Sequence, residues 1–493
     1  MQRLRTVGST LLAAWLQAVA GPAGAMPCFV NAAAVGANNG SSWADAYKDL
    51  QGALGTGACA EVWVAKSVYK PSAGNASVSF IVTPGAAVYG GFAGNETQRA
   101  QRDPAANLTV LSGDLANDDC GGSGCPNGVD TDATQIAGGN SSHVVVMDGT
   151  GTMPITSSTV LDGFTITAGN ASSDSGGGLY CNGAVAAKSC SPTLANLMFS
   201  GNRTSFVGGA LFAYAENGGA SSPVLTRVTF RGNRATLDGG AIYNDGANGG
   251  TSSPLLTDVT FDANTATEWG GAMYNDGTSG GVSSPVLTGV TFSGNSAKVG
   301  GAMYDAGSGG TSSPSLTNVT FSGNSASQYG GAMFNVGDST GVSSPTLTNV
   351  TFNGNSATQY GGAVDSYDGG SGISVPVLTN VILWGDTAGT SYPEVLGSAT
   401  ISKSIVQGGC PVGTSCSNLV SGDPLLGPLR DNGGPTRTLM PGFGSKAVDA
   451  ASDPNCPPVD QRGIVRPLGP HCDIGAVESD LVFADNFDGT PAF

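Results

Sequence analysis

The stretch that decides the fold runs from Gly270 to Ala297 and reads GGAMYNDGTSGGVSSPVLTGVTFSGNSA. The phrase recurs along the chain, and each of seven copies carries a proline at the same place. These prolines are 31, 31, 31, 29, 31 and 31 residues apart, at Pro192, Pro223, Pro254, Pro285, Pro314, Pro345 and Pro376. A fixed period of this size is typical of stacked-repeat proteins, in which each repeat packs on its neighbours.

Each repeat contains strand-length segments separated by turn residues. GGAMY, SPVL and VTF predict three strands per coil, with a polar corner at Thr288-Gly289 and a surface loop NDGTSGGVSS. Coils in register would stack ~4.8 Å apart, so the recurring phenylalanines would form one column. The recurring asparagines would form a hydrogen-bonded ladder at a turn. They are Asn202, Asn233, Asn264, Asn295, Asn324 and Asn355. The sequence therefore predicts an all-β parallel β-helix.

The amino-acid composition limits the kinds of partner that the protein can be expected to bind. Glycine contributes 78 of 493 residues, charged residues only 11%, and the formal net charge is −17. An acidic chain argues against nucleic acid and against anionic membranes as partners. The charge is compatible with divalent-cation binding or with solubility alone.

The first 25 residues have the organisation of a secretory signal. Arg3 and Arg5 precede the apolar run Leu11–Ala20, and Ala23-Gly24-Ala25 supplies a small-residue cleavage pattern. No other stretch approaches the ~18 apolar residues of a membrane-spanning helix. We therefore expect an exported protein without a transmembrane helix.

Ten cysteines in an exported chain predict disulfide bonds. The cysteines fall in sequence neighbours, and neither CxxC spacing nor a histidine cluster indicates zinc. We expect five local pairs, which are Cys28–Cys59, Cys120–Cys125, Cys181–Cys190, Cys410–Cys416 and Cys456–Cys472.

One segment outside the repeats predicts a helix. Residues 42–54 read SWADAYKDLQGAL, with Ser42 as an N-cap and Asp45 three residues on. Apolar side chains follow at the spacing of one helix face. They are Trp43, Tyr47, Leu50 and Leu54. We expect this helix to cap the N-terminal end of the stack.

The chain divides into five predicted segments. They are the signal peptide 1–25, the cap and irregular coils 26–175, the regular repeats 176–390, a C-terminal module 391–479 and a flexible acidic tail 480–493. The array ends where Leu383-Trp384-Gly385-Asp386 replaces FSGN. Atypical end units are expected because a solenoid must cover its open edges.

Two families share motifs with this chain. Over residues 176–386, the chain repeats GGAI or GGAM followed about twenty residues later by FxxN. This pattern resembles the polymorphic outer-membrane protein repeat. Residues 431–478, from DNGGPTRTLMPGF to CDIGAVE, resemble the choice-of-anchor Q module of exported bacterial proteins. The wider fold is shared with pectin-lyase-like enzymes. The resemblance implies a right-handed parallel β-helix with an N-terminal helical cap, located at the cell surface or outer membrane, or secreted.

An enzyme of this fold would act on polysaccharide. Glycoside hydrolysis needs two carboxylates at a defined separation. Asp245, Asp276 and Asp305 are predicted at corresponding repeat positions, where they form either such a pair or a solvated ladder that follows from repetition. Asp365 and Asp368 break the repeat pattern and are the catalytic candidates.

Basic and histidine side chains give further candidates. Uronate elimination needs a base, and Lys298 is the one basic residue between Ala235 and Ser402. A lyase site is therefore expected in the N-terminal coils, which contain Lys66, Lys70, Arg99 and Arg102. His143 and His471 have no nucleophile motif beside them.

Two acidic groups have other predicted roles. Asp460, Arg462, Arg466, Asp473 and Glu478 form either an ionic site or paired charges that fix an end cap. Asp114, Asp118 and Asp119 in DLANDD are calcium candidates, although neither an EF-hand loop nor the GGxGxDxUx nonapeptide is present. No other cofactor is expected.

The leading functional hypothesis is a non-enzymatic exported scaffold, a monomer with an adhesin-like or glycan-binding role toward a host or neighbouring cell surface. Uniform repeats favour it, because a catalytic site should interrupt the repeat at one place. The alternatives are a polysaccharide lyase or glycoside hydrolase, and a passive spacer.

Overall fold

The computed structural model describes residues 26–122 and 124–479. The predicted signal peptide 1–25 and tail 480–493 lie outside these residues. The described chain is a parallel β-solenoid, because consecutive coils pair strand on parallel strand in register. The core runs along the solenoid axis.

Three sheets form the walls of the solenoid. The largest, here called the bent sheet, has 22 strands. They are Cys28–Val30, Glu61–Ala65, Ser67–Tyr69, Ala87–Phe92, Thr109–Ser112, Val160–Asp162, Thr165–Thr167, Thr193–Ala195, Met198–Ser200, Val224–Thr226, Thr229–Arg231, Leu255–Thr257, Thr260–Asp262, Val286–Thr288, Thr291–Ser293, Ser315–Ser322, Thr346–Asn353, Val377–Thr379, Ile382–Trp384, Thr400–Ser402, Ile405–Val406 and Ser415–Ser417.

The other two walls each have one strand per coil. The short-strand sheet contains Asn170–Ala171, Arg203–Thr204, Arg234–Ala235, Thr265–Ala266, Ser296–Val299, Ser325–Tyr329, Ser356–Ala357 and Thr387–Ala388. The aromatic sheet contains Phe80–Ile81, Val145–Asp148, Leu179–Asn182, Leu211–Tyr214, Ile242–Asp245, Met273–Asp276, Met303–Ala306, Met333–Asp338, Val364–Gly369 and Val395–Leu396.

Most regular coils have four strands where the sequence predicted three, and two coils have three because Ser315–Ser322 and Thr346–Asn353 are each one continuous strand. The missed strand has only two residues in most coils and follows the ladder asparagine. The predicted corner is present, since Gly289 has φ +70° between strands Val286–Thr288 and Thr291–Ser293. The predicted surface loop is shorter than expected, because Asn275 and Ser283 are fully buried.

The recurring phenylalanines form a single column inside the solenoid. Phe199, Phe230, Phe261, Phe292, Phe321 and Phe352 are all fully buried. Successive rings are stacked, with centroids 4.7–5.0 Å apart and planes within 8° of parallel. Repetition of one residue in register therefore builds the core.

The predicted N-terminal helix is mostly wrong. The helix is Leu50–Gly55, and Asp49 caps it by accepting the Gly52 N–H at 2.5 Å. Tyr47 instead bridges to Val30 as in a strand. Trp43 packs on Phe29 outside the main core, so the apolar residues do not share one face.

The remaining helices are single turns. They are Asp119–Gly122 and the 3-10 turns Arg99–Gln101, Pro126–Gly128, Ala133–Gln135 and Asp453–Asn455. All five expected disulfide pairs are bonded. Across the described residues, no helix has both the length and the apolar character to cross a membrane.

One long insertion interrupts the N-terminal coils. Residues 113–141, here called the excursion, leave the solenoid after strand Thr109–Ser112 and return before strand Val145–Asp148. An antiparallel bridge between Asp114 and Asn140 closes its base. The excursion packs against two neighbouring coils, where the Ala133 N–H donates to the Gly232 carbonyl at 2.9 Å.

Candidate functional site

The ladder asparagines use their polar atoms within the solenoid. Each Nδ2 donates to the Oδ1 of the next asparagine at 2.9–3.0 Å. Asn264 Nδ2 also donates to the Phe230 carbonyl at 3.0 Å, and the backbone N–H of Asn233 donates to Asn264 Oδ1 at 3.1 Å. Asp386 takes the last position and accepts from Asn355. The ladder is a structural element that leaves no atom for a ligand.

The predicted alignment of three aspartates is wrong for Asp305. Asp245 pairs in register with Asp276, but Asp305 pairs with Asn275. A shift of one residue in a strand reverses the side to which a residue points. Asp305 is therefore fully buried inside the solenoid, where it accepts from Asn275 Nδ2 at 2.7 Å.

Asp245 and Asp276 lie instead on the outer side of the aromatic sheet. Asp276 accepts a hydrogen bond from the Tyr243 hydroxyl at 2.7 Å. Burial, together with the charges of Asp276 and Glu216, raises the pKa of Asp245 to about 8. These two carboxylates are not the solvated ladder that repetition alone would produce, since Asp245 is buried.

A column of aromatic rings, stacked from Tyr243 to Phe334, covers the same outer side. It consists of Tyr180, Phe212, Tyr243, Tyr274, Tyr304 and Phe334. Asp365 occupies the next position, because it pairs in register with Phe334. Burial raises the pKa of Asp365 to about 7. Asp368 is exposed three positions later, and residues i and i+3 of a strand face opposite sides, so the two catalytic candidates do not form a pair.

The charged residues of the C-terminal module hold loops together. The buried Arg466 guanidinium contacts Glu478 at 3.1 Å and donates to the Asp473 and Gly475 carbonyls at 2.8 Å. Arg462 contacts Asp460 at 2.9 Å. These contacts support the prediction that the charges of this cluster are paired and fix an end cap, and not the alternative of an ionic site.

The histidines and three of the four N-terminal cations are also engaged within the protein, whereas Lys66 is exposed. Arg99 pairs with Glu61, and Arg102 pairs with Asp162. Lys70 Nζ donates to the Asn117 side chain at 2.8 Å. The two histidine Nδ1 atoms lie within hydrogen-bonding distance of protein oxygens, His143 at 2.9 Å from the Gly176 carbonyl and His471 at 2.7 Å from Asp453.

A cleft of about 290 Å³ lies between the short-strand sheet and the excursion. Strands Asn170–Ala171, Arg203–Thr204 and Arg234–Ala235 form its floor. Ala133 and Thr134 of the excursion form its wall. The hydroxyl groups of Ser172, Ser205 and Thr236 also line it.

Two arginines give this cleft its chemical character. Arg203 and Arg234 pair in register on adjacent coils, so their backbones are ~4.8 Å apart. Arg203 donates through Nε to Asn170 Oδ1 at 2.9 Å, which leaves its two Nη groups available. Among residues 26–122 and 124–479, no carboxylate is paired with either guanidinium, whereas Arg231 nearby contacts Asp262. Paired guanidinium groups of this kind bind carboxylate, sulfate or phosphate.

Sequence reasoning missed this cleft. The signal for it was the short run of arginines in two consecutive repeats, immediately before the long segment with Lys298 as its one basic residue. Because Arg203 and Arg234 are one 31-residue period apart, they occupy the same position on adjacent coils. Nothing in the repeat indicates that the excursion closes over them.

The three predicted calcium candidates lie together in the excursion. Carboxylate oxygens of Asp114, Asp118 and Asp119 are within 4.8 Å of one another. Asp130, which the sequence did not single out, is buried next to them, and its pKa is raised by burial and by Asp119. Cys120 and Cys125 also lie near Asp130, but their disulfide bond removes them as metal ligands.

Comparison with known proteins identifies the repeats. Residues 227–245, 318–332 and 349–367 match the model of the Chlamydia polymorphic membrane protein repeat. No curated protein matches the chain. Each matched segment includes strands of the regular coils, and the third contains Asp365. Three segments of the regular coils are therefore similar to the polymorphic membrane protein repeat.

Proposed function

We propose that this chain is an exported, surface-exposed β-solenoid with an adhesin-like role, and that it binds acidic glycan in the cleft at Arg203 and Arg234. The repeats support a surface or outer-membrane location, since they match a membrane-protein family. Five disulfides fit an oxidising, exported environment. A signal peptide at residues 1–25 and anchoring through the choice-of-anchor module complete this hypothesis.

The observation that carries the proposal is the arginine pair itself. In a chain of net charge −17, two adjacent guanidinium groups without a carboxylate partner among the described residues are available to bind an anion. Acidic glycans present carboxylate or sulfate groups at sugar-sized intervals, and the coil spacing of ~4.8 Å offers one guanidinium per coil. Hydroxyls of Ser172, Ser205 and Thr236 supply partners for sugar hydroxyl groups.

The winding of the solenoid belongs to the same proposal. We infer right-handed coils in the pectin-lyase-like manner, because parallel crossover connections are almost always right-handed.

Binding to uronate, sulfated and neutral oligosaccharides tests the proposed cleft. Isothermal titration of the purified chain should show binding of the acidic panel only, and affinity should fall with rising salt. Arg203→Gln and Arg234→Gln should each weaken binding about tenfold, since each removes a charged hydrogen-bonding group. Arg227→Gln is the matched control, because Arg227 is exposed on the same coil as Arg234 but does not line the cleft. Equal losses in all three variants would contradict a specific cleft.

A glycoside hydrolase remains a second candidate because of Asp245 and Asp276. They lie on adjacent coils, and an Asp245 pKa of about 8 would keep that carboxyl protonated at neutral pH, as a general acid requires. New reducing ends released from the same oligosaccharides, and abolished by Asp276→Asn, would establish this activity. Binding without turnover would exclude it for the substrates tested.

A further inference from the structure

Four aspartates lie at the base of the excursion. Oxygens of Asp114, Asp118 and Asp119 are within 4.8 Å of one another, and Asp130 is buried beside Asp119. Asp114, Asp119 and Asp130 are each at most 5% exposed, and Asp118 is half-buried. Their positions are fixed by the fold. Asp114 lies on the closing bridge to Asn140, while the backbone N–H of Asp130 donates to Thr167 Oγ1 at 3.0 Å. The carboxylates therefore cannot move apart without opening the excursion.

Protein groups compensate this negative charge only in part. Asp119 accepts from the Ala137 N–H at 2.5 Å and from Asn140 Nδ2 at 2.8 Å. In the described chain, no lysine, arginine or histidine is paired with any of the four carboxylates. Lys70 is directed to Asn117 instead. Carboxylates packed together in this way repel one another when ionised, and a bound cation would relieve that repulsion.

Three oxygens at this place receive no donor from a described residue. They are Asp118 Oδ1, Asp130 Oδ2 and Asn140 Oδ1, all shielded from solvent. The orientation of the Asn140 amide is fixed, because its Nδ2 donates to both Asp119 and the Ala168 carbonyl. Buried oxygens are almost always hydrogen-bonded in folded proteins. Three unsatisfied oxygens in one place therefore indicate a bound cation.

We propose that Asp114, Asp118, Asp119, Asp130 and the Asn140 side-chain oxygen bind one Ca²⁺ ion. Calcium takes six to eight oxygen ligands in irregular geometry, and it accepts both carboxylates and amide oxygens. Magnesium demands near-ideal octahedral geometry and retains several waters, which suits this enclosed set of protein oxygens less well. The ion would neutralise part of the buried charge and tie both ends of the excursion together.

Calcium titration of the full chain tests this site. After treatment with chelator, calorimetry should show one bound Ca²⁺ per chain, a rise in Tm and weaker binding of Mg²⁺. Asp119→Asn and Asp130→Asn keep the side-chain shape but remove a charge. Each should weaken calcium binding about tenfold or more, because calcium affinity follows the charge of the ligand set.

The matched control is Asp305→Asn. Asp305 is another fully buried aspartate, but its register neighbours are Asn275 and Asn335, so the substitution should leave calcium affinity unchanged. Unchanged affinity in folded Asp119→Asn and Asp130→Asn would overturn the site, as would equal loss in the control. If either variant fails to fold, hydrogen exchange of the parent chain tests the site instead. Bound calcium should slow the exchange of backbone amides in residues 113–141. Absence of that protection, or of calcium binding to the parent chain, also overturns the proposal.

Discussion

The regular coils and the excursion both bury polar side chains, but they satisfy them by different means. In the coils, the partner of each ladder asparagine is the same residue one repeat later, as for Asn264 and Asn295. In the excursion, Asp118, Asp130 and Asn140 have oxygens that no described residue satisfies. In a repeat array, the next coil provides the hydrogen-bonding partner of each buried polar group. A single insertion has no such neighbour, and the proposed calcium ion would satisfy its buried oxygens.

The largest effect is expected where the ladder is broken. Asn264→Ala removes the donor to the Phe230 carbonyl and the acceptor of the Asn233 N–H, both buried. Each orphaned buried group costs about 1–3 kcal/mol, so we expect a loss of about 3 kcal/mol or more. Urea unfolding followed by hydrogen exchange should locate the loss in the coils on either side of Asn264.

Thr267→Ala provides the control on the same coil, because Thr267 is exposed. It should change stability by less than about 0.5 kcal/mol. If Asn264→Ala were as mild as Thr267→Ala, the ladder would not stabilise the array.

Removal of calcium should destabilise the excursion and not the regular coils. With calcium at about 100 times its Kd, binding adds about 2.7 kcal/mol to the stability of the bound unit. Chelator should therefore increase hydrogen exchange within residues 113–141 while leaving the phenylalanine column around Phe261 and Phe292 protected. Uniform loss of protection across both regions would contradict a local role for the ion.

Asp305 is a ladder position at which a coil, like the excursion, leaves a buried oxygen without a partner among the described residues. Its Oδ2 and the Oδ1 of Asn335 on the next coil both lack a partner among the described residues. Burial raises the pKa of Asp305 to about 7, so the folded state favours the protonated form. That form can donate to Asn335, and so can the amide introduced by Asp305→Asn.

The raised pKa fixes the direction of the pH dependence. An unfolded aspartate titrates near ~3.9, so the contribution of Asp305 is fully present below that pH and is lost as pH rises through about 7. Asp305→Asn should match the parent chain near pH 4 and be the more stable of the two at pH 8. Thermal unfolding at both pH values checks this, and a parallel shift at pH 4 and pH 8 would contradict it.

The same contrast explains which features the sequence could predict. The columns of phenylalanine and asparagine follow from the period, because one position repeated in register must stack. Asp305 was assigned to the wrong side of its strand, although it directly follows GGAMY as Asn275 does, and aligning that phrase would have placed it correctly. The two-residue strands were too short to show periodicity, and Tyr47 had helical spacing but pairs with Val30.

The cleft and the acidic cluster share a different reason for being missed. Arg203 and Thr134 lie 69 residues apart in sequence, and Asp130 lies 11 residues after Asp119. The folding of a single non-repeating segment brings them together. The cluster was therefore predicted only in its contiguous part, DLANDD, and the arginine pair was not predicted.

The smallest expected effect connects the two proposed sites. The excursion carries the Asp cluster at its base and the cleft wall at Ala133 and Thr134. The wall is also held by the Ala133 hydrogen bond to Gly232, which does not depend on calcium. Removing calcium should therefore weaken acidic-glycan binding only about fivefold, at the low end of measured couplings between sites.

Linkage makes this last expectation reciprocal, because saturating glycan should raise calcium affinity by the same factor. Paired titrations of the full chain measure both quantities. Asp119→Asn is the control in which chelator should have no further effect on glycan binding. A chelator effect of equal size in that variant would show that the ion acts elsewhere, and the absence of any mutual effect in the parent chain would show that the two sites are not coupled.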